Sequence, residues 1–496
     1  MNKKAGILLP IISLPSDYGI GCFSKEAYSF IDWLKASGQS YWQILPLGPT
    51  GYGDSPYQSF SAFAGNPYLI CLETLIEEGF LTKEECDSCD FGAGERIDYG
   101  KLYNSRFILL KKAYNREKSS LGKAYSQFLS ENNCWLSDYA LFMAIKNHFN
   151  GKAMQDWDKD ILKREEKTMD KYRAMLQDEI EFQKYMQFKF FGQWNALLSY
   201  AHSKGIKIIG DIPIYTSPDS ADVWANPKLF LLDERMTPTC VAGCPPDDFS
   251  PSGQLWGNPL YNWEHHKSTD YLWWIKRIEH CFKLYDVVRI DHFRGFDEFY
   301  AIPYGSTDAI KGEWKKGPGK LLFQSIEKAL GKKDIIAEDL GFITDSVRTL
   351  LRECDFPSMK VLEFAFDTRG TDGQSDHMPH NFPKNCVAYT ATHDNSTLRS
   401  WFNSISEHDR RRAREYLCDF YTPDEKLNNP FISLVLRSSA NLVIIPLQDY
   451  MALDDSARIN TPATMGENWK WRLNKNEPSE MLAKNICSMV KLFGRN

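Results

Sequence analysis

Val287-Val288-Arg289-Ile290-Asp291-His292-Phe293-Arg294-Gly295 is an apolar, β-branched run that ends in charged residues. A strand of a buried parallel sheet is apolar throughout, because helices cover both faces of the sheet. The charges therefore mark the carboxyl end of a strand, and in a parallel barrel this end faces the catalytic mouth. Arg289 lies two residues before Asp291, which predicts both side chains on one face, where the guanidinium would keep the carboxylate ionised. The alternative is a structural Asp–Arg pair that caps the strand.

Seven further apolar runs have the length of strands, and amphipathic stretches such as Lys25–Ser37 and Gly319–Leu330 lie between most of them. Eight strands that alternate with helices predict an α/β protein built as a (β/α)₈ TIM barrel. An open doubly wound sheet is the competing architecture, but no Gly-x-Gly-x-x-Gly loop follows any of the runs. The seven runs are Gly6–Pro10, Tyr41–Leu47, Ile206–Ile212, Ile335–Glu338, Lys360–Phe364, Ala388–Thr392 and Leu442–Pro446.

Two connections are much longer than the few residues and one helix that a barrel unit requires. Residues 1–496 are therefore predicted to form one catalytic barrel with insertions between strands 2 and 3 and between strands 3 and 4. The first insertion, residues 48–205, contains charged helical sequence and is predicted to be a largely helical subdomain over the barrel mouth. The second, residues 213–286, is rich in Pro, Gly, Asp and Trp and is predicted to form ordered loops, including an active-site loop.

Composition narrows the choice of partners. The formal net charge of −6 gives no reason to expect nucleic acid or an anionic membrane as a partner. Aromatic residues make up 14% of the chain, and aromatic faces suit the flat apolar surfaces of sugar rings.

Pro10 interrupts the only signal-like apolar run, and no run reaches the roughly 20 residues of a membrane helix, so a cytoplasmic location is expected. The 12 cysteines are then expected to be reduced thiols. Cys86-x-x-Cys89 and Cys240-x-x-x-Cys244 have metal-like spacing, but neither has a second Cys/His pair nearby.

Acidic residues end four of the eight predicted strands, each beside Gly, His or Arg. Like charges that converge on one mouth stabilise a fold poorly, which favours a functional role over strand capping. Glycoside cleavage uses two carboxyl groups of unequal protonation. Asp291 suits the ionised role, and Glu338, which follows an apolar strand, suits the protonated one. Asp394 could bind sugar hydroxyls and stabilise positive charge at the anomeric carbon; the fourth acid is Asp211.

A divalent metal held by these acids is the rival hypothesis, as in metal-assisted hydrolysis. Arg289 and Arg294 weaken it, because cations beside the acids compete with a metal. Two turn-rich stretches, Gly51–Phe60 and Pro245–Pro259, mix aromatics, hydroxyls and amides in a way that favours a sugar ligand. The alternative for each stretch is an ordinary surface loop with aromatics tucked underneath.

With these motifs in this order, the chain resembles the amylomaltases, also called 4-α-glucanotransferases or disproportionating enzymes. The resemblance runs from Gly6 to about Arg472 and fits the short bacterial form of the family. The motifs that carry it are Tyr41–Thr50, Asp54–Pro67, Gly210–Ile214, Gln254–Tyr261, Arg289–Gly295, Ala337–Gly341 and Thr392–Asn395.

The resemblance implies a (β/α)₈ barrel that acts on malto-oligosaccharides and α-1,4-glucans by double displacement, with no metal and no organic cofactor. It implies that Asp291 is the nucleophile, Glu338 the general acid/base and Asp394 the transition-state stabiliser. The positions that it assigns to sugar binding are Tyr57, Asp211, Gln254, Arg289, His292 and His393, together with Phe249 and Trp256 in the loop that arches over the groove.

Three positions depart from the family pattern. Asp248 stands where some relatives have an aromatic residue, Ala463 replaces a common Gly, and Ser396 stands where an Asp is usual after His-Asp-Asn. None of them is one of the three proposed catalytic acids. The leading hypothesis is a transferase, and a retaining α-glucan hydrolase that uses the same acids is the nearest alternative. A non-catalytic glucan-binding protein is less favoured, because binding alone needs no nucleophile.

Overall fold

The computed structural model describes residues 3–51, 53–246, 251–341, 343–366 and 375–496, and these residues form twelve strands and eighteen α-helices. The strands are β1 (Lys4–Leu8), β2 (Tyr41–Gln43), β3 (Lys207–Pro213), β4 (Cys240–Cys244), β5 (Gln254–Pro259), β6 (Val287–Asp291), β7 (Glu298–Pro303), β8 (Glu313–Lys316), β9 (Ile335–Ala337), β10 (Ser358–Val361), β11 (Cys386–Tyr389) and β12 (Leu442–Pro446). The helices are α1 (Lys25–Ala36), α2 (Leu72–Glu77), α3 (Lys83–Asp87), α4 (Tyr99–Glu117), α5 (Lys123–His148), α6 (Lys159–Leu162), α7 (Glu166–Met175), α8 (Gln177–Ser203), α9 (Ala221–Ala225), α10 (Trp263–Ser268), α11 (Leu272–Leu284), α12 (Lys320–Leu330), α13 (Asp345–Cys354), α14 (Leu398–Ser404), α15 (Glu407–Leu417), α16 (Asn428–Leu436), α17 (Leu447–Tyr450) and α18 (Glu480–Leu492).

Eight of the strands in the described chain form one parallel sheet in the order β10-β11-β12-β1-β2-β3-β6-β9. The two end strands meet where the backbone N–H of Ala337 donates to the carbonyl oxygen of Pro357 at 3.2 Å, which brings the sheet round into a barrel. This confirms the predicted (β/α)₈ fold. Strand residues fill the barrel interior, as in other barrels of this kind. The buried members of this interior cluster are Leu8, Ile209, Val287, Ile336, Met359, Val361, Val387, Tyr389 and Ile444.

The register of the parallel sheet determines which residues lie next to one another in the candidate site. Asp211 on β3 pairs with Arg289 on β6, and Ile290 on β6 pairs with Ala337 on β9. Because the strands are parallel and adjacent, the residue after Ile290 and the residue after Ala337 lie side by side at the carboxyl edge. These two residues are Asp291 and Glu338.

The predicted strands are all present, and β6 and β12 have the predicted bounds. The seventh run was predicted to reach Thr392, but β11 ends at Tyr389, so Asp394 lies in a loop. The reason is local turn chemistry. The side-chain oxygen of Asn395 accepts hydrogen bonds from the backbone N–H of Thr392 at 2.9 Å and from its hydroxyl at 2.7 Å. Such bonds compete with a strand ladder.

The insertions differ in their structure. Helices α2–α8 lie between β2 and β3, in keeping with the expected helical segment. The second insertion was expected to be loops, but it contains α9–α11 together with β4 and β5. These two strands pair with β7 and β8, from the connection after β6, in an antiparallel sheet of order β5-β4-β7-β8. The stretch predicted as an active-site loop, Pro245–Pro259, includes β5, and residues 247–250 of it lie outside the described residues. No helix in the described ranges is long and apolar enough to cross a membrane.

Candidate active site

Arg289 lies between two carboxylates at the barrel mouth. Its Nη2 is 3.1 Å from Oδ1 of Asp291, and its Nη1 is 2.5 Å from Oδ2 of Asp211. The side chains of Arg289 and Asp211 are almost fully buried, whereas that of Asp291 is 30% exposed. The contact with Asp291 follows from the two-residue spacing on β6, and the contact with Asp211 follows from the β3–β6 register. Asp291 is thus the most accessible of the three groups.

Glu338 is held beside Asp291 by backbone groups. Its Oε2 accepts the N–H of His292 at 2.7 Å, and its Oε1 accepts the N–H of Leu340 at 2.7 Å. His292 has a left-handed backbone (φ 51°, ψ 48°), which is uncommon for a residue other than glycine and turns the chain sharply after β6. This turn points the N–H of His292 at the Glu338 carboxyl, which fixes both carboxyl oxygens in place.

The two carboxyl groups titrate differently. Burial, strengthened by the charge of Asp291 and partly offset by Arg289, raises the pKa of Glu338 to about 8. Burial also raises the pKa of Asp291 to about 6, against the attraction of Arg289. Arg289 favours the ionised form of Asp291, as expected, but desolvation outweighs the ion pair, so that the pKa lies above its usual value. Near pH 7 the pair still has Asp291 mainly ionised and Glu338 mainly protonated.

Tyr57 connects the two sides of the mouth. Its hydroxyl donates to Oδ2 of Asp211 at 2.8 Å and lies 2.8 Å from Nε2 of His393. A hydroxyl has one hydrogen, so that Nε2 of His393 must be the donor in the second contact. The rings of Tyr57 and His393 are nearly parallel, with centroids 5.4 Å apart, and Trp469 packs against both. Sequence reasoning missed Trp469, which no motif distinguishes from a core residue.

Asp394 is anchored by the chain that follows β12. Nδ2 of Asn460 donates to Oδ1 of Asp394 at 2.6 Å, and Nη2 of Arg458 donates to its backbone carbonyl at 2.8 Å. Oδ2 lies 3.3 Å from Nε2 of His393. Sequence reasoning assigned no role to Arg458 or Asn460. The signal that could have indicated Asn460 is its place three residues before Ala463, in the segment Asn460–Thr464 that departs from the family pattern.

Ser396, one of the departures from the family pattern, also joins this group. Its hydroxyl oxygen accepts a hydrogen bond from Nη1 of Arg458 at 3.1 Å. The serine is therefore compatible with the network that holds the Asp394 loop.

Two predicted site residues on β5, Gln254 and Trp256, also lie at the barrel mouth. Trp256 meets His292 edge to face, with ring centroids 4.7 Å apart, and its Nε1 donates to Oε1 of Gln254 at 3.0 Å. Phe249 and Asp248 lie outside the described residues. The structure thus brings ten of the eleven predicted site residues to one mouth.

Three buried polar atoms at this mouth have no hydrogen-bond partner among the described residues. They are Oδ1 of Asp211, Nε2 of His292 and Nδ1 of His393. A buried polar group without a partner costs about 1–3 kcal/mol, so such groups are rare unless a ligand or water completes them. All three belong to residues that the sequence predicted to be part of the site.

Comparison with known proteins agrees with this geometry. The family model described as 4-alpha-glucanotransferase matches residues 9–477. The chain belongs to the 4-α-glucanotransferase family. A 4-alpha-glucanotransferase of Clostridium butyricum is 46% identical over 98% of this chain and 99% of the relative, and that of Aquifex aeolicus is 45% identical over 99% of each. The structure of the amylomaltase from Streptococcus agalactiae in complex with acarbose covers all of both chains at 42% identity, with a TM-score of 0.96.

Membership in the 4-α-glucanotransferase family separates the two leading hypotheses. A hydrolase would use the same acids, so that the carboxylate geometry alone fits both. The matched model and these relatives are named as transferases over essentially the whole chain. The enzyme is accordingly a glucanotransferase rather than the alternative α-glucan hydrolase.

Proposed function

We propose that this enzyme transfers segments of α-1,4-glucans between malto-oligosaccharides by retaining double displacement. Asp291 is the nucleophile, Glu338 the general acid/base and Asp394 the transition-state stabiliser. The observation that carries these roles is the pair of adjacent carboxyl groups at the ends of β6 and β9, which have unequal pKa values. Acarbose bound to the Streptococcus agalactiae amylomaltase supports a glucan-like ligand.

In the first step the Asp291 carboxylate attacks the anomeric carbon of the donor and forms a glycosyl ester. The glycosidic C–O bond breaks, and Glu338 gives its proton to the leaving oxygen. A pKa of about 8 keeps Glu338 protonated at neutral pH. Arg289 stays against the other carboxyl oxygen of Asp291, which orients the attacking lone pair.

In the second step a hydroxyl of the acceptor sugar attacks the anomeric carbon, the C–O bond to Asp291 breaks and frees its carboxylate, and Glu338 takes the proton from that hydroxyl. This needs an ionised Glu338, and the N–H groups of His292 and Leu340 stabilise the ion through both carboxyl oxygens. The loss of the negative charge on Asp291 in the intermediate also lowers the pKa of Glu338, because that charge was one of the causes of its rise. The same residue thus serves as acid first and as base second.

Asp394 binds sugar hydroxyls near the anomeric carbon. Asn460, Arg458 and His393 hold it in place, so that its charge is fixed before the substrate arrives. A charge that needs no reorganisation is an efficient stabiliser of an oxocarbenium-like transition state. The remaining substrate contacts are assigned to Tyr57, Asp211, Phe249, Gln254, Trp256, Arg289, His292 and His393.

Two further inferences concern the setting of the reaction. The cation beside the nucleophile is Arg289, which would compete with a metal ion, so that catalysis is proposed to need no metal. The twelve cysteines are free thiols, which supports the cytoplasmic location expected from the sequence, because secreted proteins tend to carry disulfides.

Incubation with pure maltotriose tests the proposal. Transfer gives glucose together with maltopentaose and longer chains, whereas hydrolysis gives only glucose and maltose. We expect the longer chains, with the α-configuration in the first products by NMR. Retention goes with carboxyl groups roughly 5–5.5 Å apart, and inversion with a separation of about 6.5–9.5 Å. Inverted products, or products that stop at maltose and glucose, would contradict the proposal.

A further inference from the structure

Two cysteines from distant parts of the chain meet away from the barrel mouth. The Sγ atoms of Cys22 and Cys71 and a carboxyl oxygen of Glu73 all lie within 4.8 Å of one another, and no other group of this kind is found in the described ranges. Cys22 precedes α1, and Cys71 directly precedes α2. Both cysteines are buried, whereas Glu73 is half-buried. The metal-like spacings noted in the sequence, Cys86/Cys89 and Cys240/Cys244, gain no third ligand within those ranges.

The side chains of Cys22, Cys71 and Glu73 offer more hydrogen-bond acceptors than donor hydrogens. The Cys71 thiol donates to Oε2 of Glu73 at 3.1 Å and is also a hydrogen-bond partner of the Cys22 side chain. A thiol has a single hydrogen, so it can satisfy only one of these acceptors at a time. Oε1 of Glu73 is buried and has no partner among the described residues. A cation at the centre would satisfy all three groups at once.

The charges also fit a divalent cation. If a bound ion displaces the thiol hydrogens, the two thiolates and the Glu73 carboxylate carry three negative charges, which the buried guanidinium of Arg106 partly offsets. A divalent cation neutralises the remaining charge of about −2. Tetrahedral ligation with Zn–S bonds of about 2.3 Å places ligand atoms roughly 3.5–3.8 Å apart, within the observed limit.

The surroundings hold the ligands in place. The backbone N–H of Cys71 donates to Oε1 of Gln193 on α8 at 2.7 Å, and the side-chain nitrogen of Gln193 donates back to the carbonyl of Cys71 at 3.3 Å. The N–H of Cys22 donates to Oγ of Ser16 at 3.2 Å, and that of Phe23 donates to the carbonyl of Leu69 at 3.1 Å. Fixed second partners of this kind orient metal ligands.

Access comes from an open cavity of about 550 Å³ that Cys71 and Glu73 line. Glu77 and Glu78 also line this cavity, together with Lys25 and with Lys189, whose Nζ lies 2.9 Å from Oε2 of Glu78. Water from the cavity can fill the fourth position of a tetrahedral ion. None of the residues that line this cavity belongs to the candidate active site.

We propose that Cys22, Cys71 and Glu73 form a structural site for a thiophilic divalent cation of the zinc class. The ion fastens the β1–α1 connection to the start of α2, and so joins the barrel to the helical insertion. It takes no part in glucan transfer.

Titration with Co²⁺ tests the site. Full-length protein is reduced, freed of metal with a chelator and titrated with Co²⁺ alone. We expect one equivalent to bind with an intense sulfur-to-cobalt charge-transfer band, which Zn²⁺ then abolishes by displacement. Cys71→Ser should lose the band, and Glu73→Gln should weaken binding by roughly tenfold or more. Cys134→Ser and Cys418→Ser, which alter exposed thiols, should keep it.

Melting curves give a second readout that does not depend on the cobalt spectrum. Zn²⁺ should raise the melting temperature of the wild type but not that of Cys71→Ser, because only the folded wild type binds the ion. Transfer activity at moderate temperature should persist in Cys71→Ser. The proposal is overturned if the wild type shows no band at one equivalent of Co²⁺, if Cys71→Ser keeps the band, or if folded Cys71→Ser has lost transfer activity.

Discussion

The Nη2 atom of Arg289 lies 3.1 Å from Oδ1 of Asp291, and the same guanidinium also binds Asp211. One cation thus serves two carboxylates. Its attraction is too weak to cancel the cost of burying Asp291, whose pKa rises to about 6 rather than falling. We therefore expect Asp291, the nucleophile, to become protonated under mildly acidic conditions.

The activity should follow a bell-shaped pH profile. Asp291 must be ionised, so kcat/KM should fall as the pH drops through about 6. Glu338 must be protonated, so kcat/KM should also fall as the pH rises through about 8. The measurement is kcat/KM for maltotriose at pH values from about 4 to about 10. With a glycosyl fluoride donor, which needs no acid, Glu338→Gln should lose the alkaline limb.

A matched control separates this acid limb from general unfolding. Asp222 is another buried carboxyl whose pKa is raised to about 6, but it accepts the backbone N–H of Ala62 and contacts no candidate catalytic group. Asp222→Asn should leave the acid limb where it is. The assignment of the acid limb to Asp291 would be refuted if that limb moved in Asp222→Asn. The assignment of the alkaline limb to Glu338 would be refuted if that limb survived in Glu338→Gln with the fluoride donor.

Tyr57→Phe removes the hydroxyl that connects Asp211 to His393. Two buried polar atoms then lose a partner, and a hydrogen bond to a charged group contributes about 1.5–3 kcal/mol. We expect kcat/KM to fall by roughly 10–100-fold with the fold intact. Tyr389→Phe is the control, because its hydroxyl donates to Gln43 inside the barrel and not to a site residue. If the two variants lose equal activity, Tyr57 has only a packing role.

Asn460→Ala should release Asp394 from its 2.6 Å hydrogen bond. If Asp394 stabilises the transition state, kcat should fall by roughly 10–100-fold while KM changes little. Asn468→Ala disturbs the same segment, since Asn468 bonds to Thr461 and Thr464, but it makes no contact with Asp394. A fall in kcat of the same size in both variants would assign the effect to the loop and not to Asp394.

Contacts between residues close in sequence could be predicted, and contacts set by the tertiary fold could not. The two-residue spacing of Arg289 and Asp291 on an apolar run was enough to predict their ion pair. The apolar run before Glu338 likewise predicted a raised pKa, which burial produces. The hydrogen bond between Tyr57 and Asp211 joins residues 154 positions apart and was not predicted, since the family resemblance assigned the two residues only to sugar binding.

The antiparallel sheet is a second feature that could not be predicted from the sequence. Its four short strands come from two different connections between barrel strands, and β7 and β8 lie beyond the segment that was treated as the insertion. Each strand has four to six residues, too few for a clear alternating pattern. Only the pairing between distant segments identifies them, and pairing depends on the assembled barrel.

Substitution of Ala463 is expected to change the stability of the protein rather than its activity. Its φ is +60°, in the left-handed region where a β-carbon costs roughly 1–2 kcal/mol. Glycine, which the family pattern favours here, lacks this penalty but has a more flexible unfolded chain. We expect Ala463→Gly to raise the free energy of unfolding by about 0.5–1 kcal/mol in denaturant titrations. Ala93→Gly, at an exposed position without a positive φ, should lower it, and equal effects of the two variants would contradict the strain.

The most direct test of the account is to trap the glycosyl-enzyme and find the residue that carries it. In Glu338→Gln, a glycosyl fluoride can still react with the nucleophile because its leaving group needs no proton, but the second step lacks its base. The ester should therefore accumulate and survive digestion for peptide mass spectrometry. The account predicts a glycosyl adduct on Asp291, absent from Asp291→Asn with the same treatment. An adduct on Asp211, Asp394 or any other residue would contradict it.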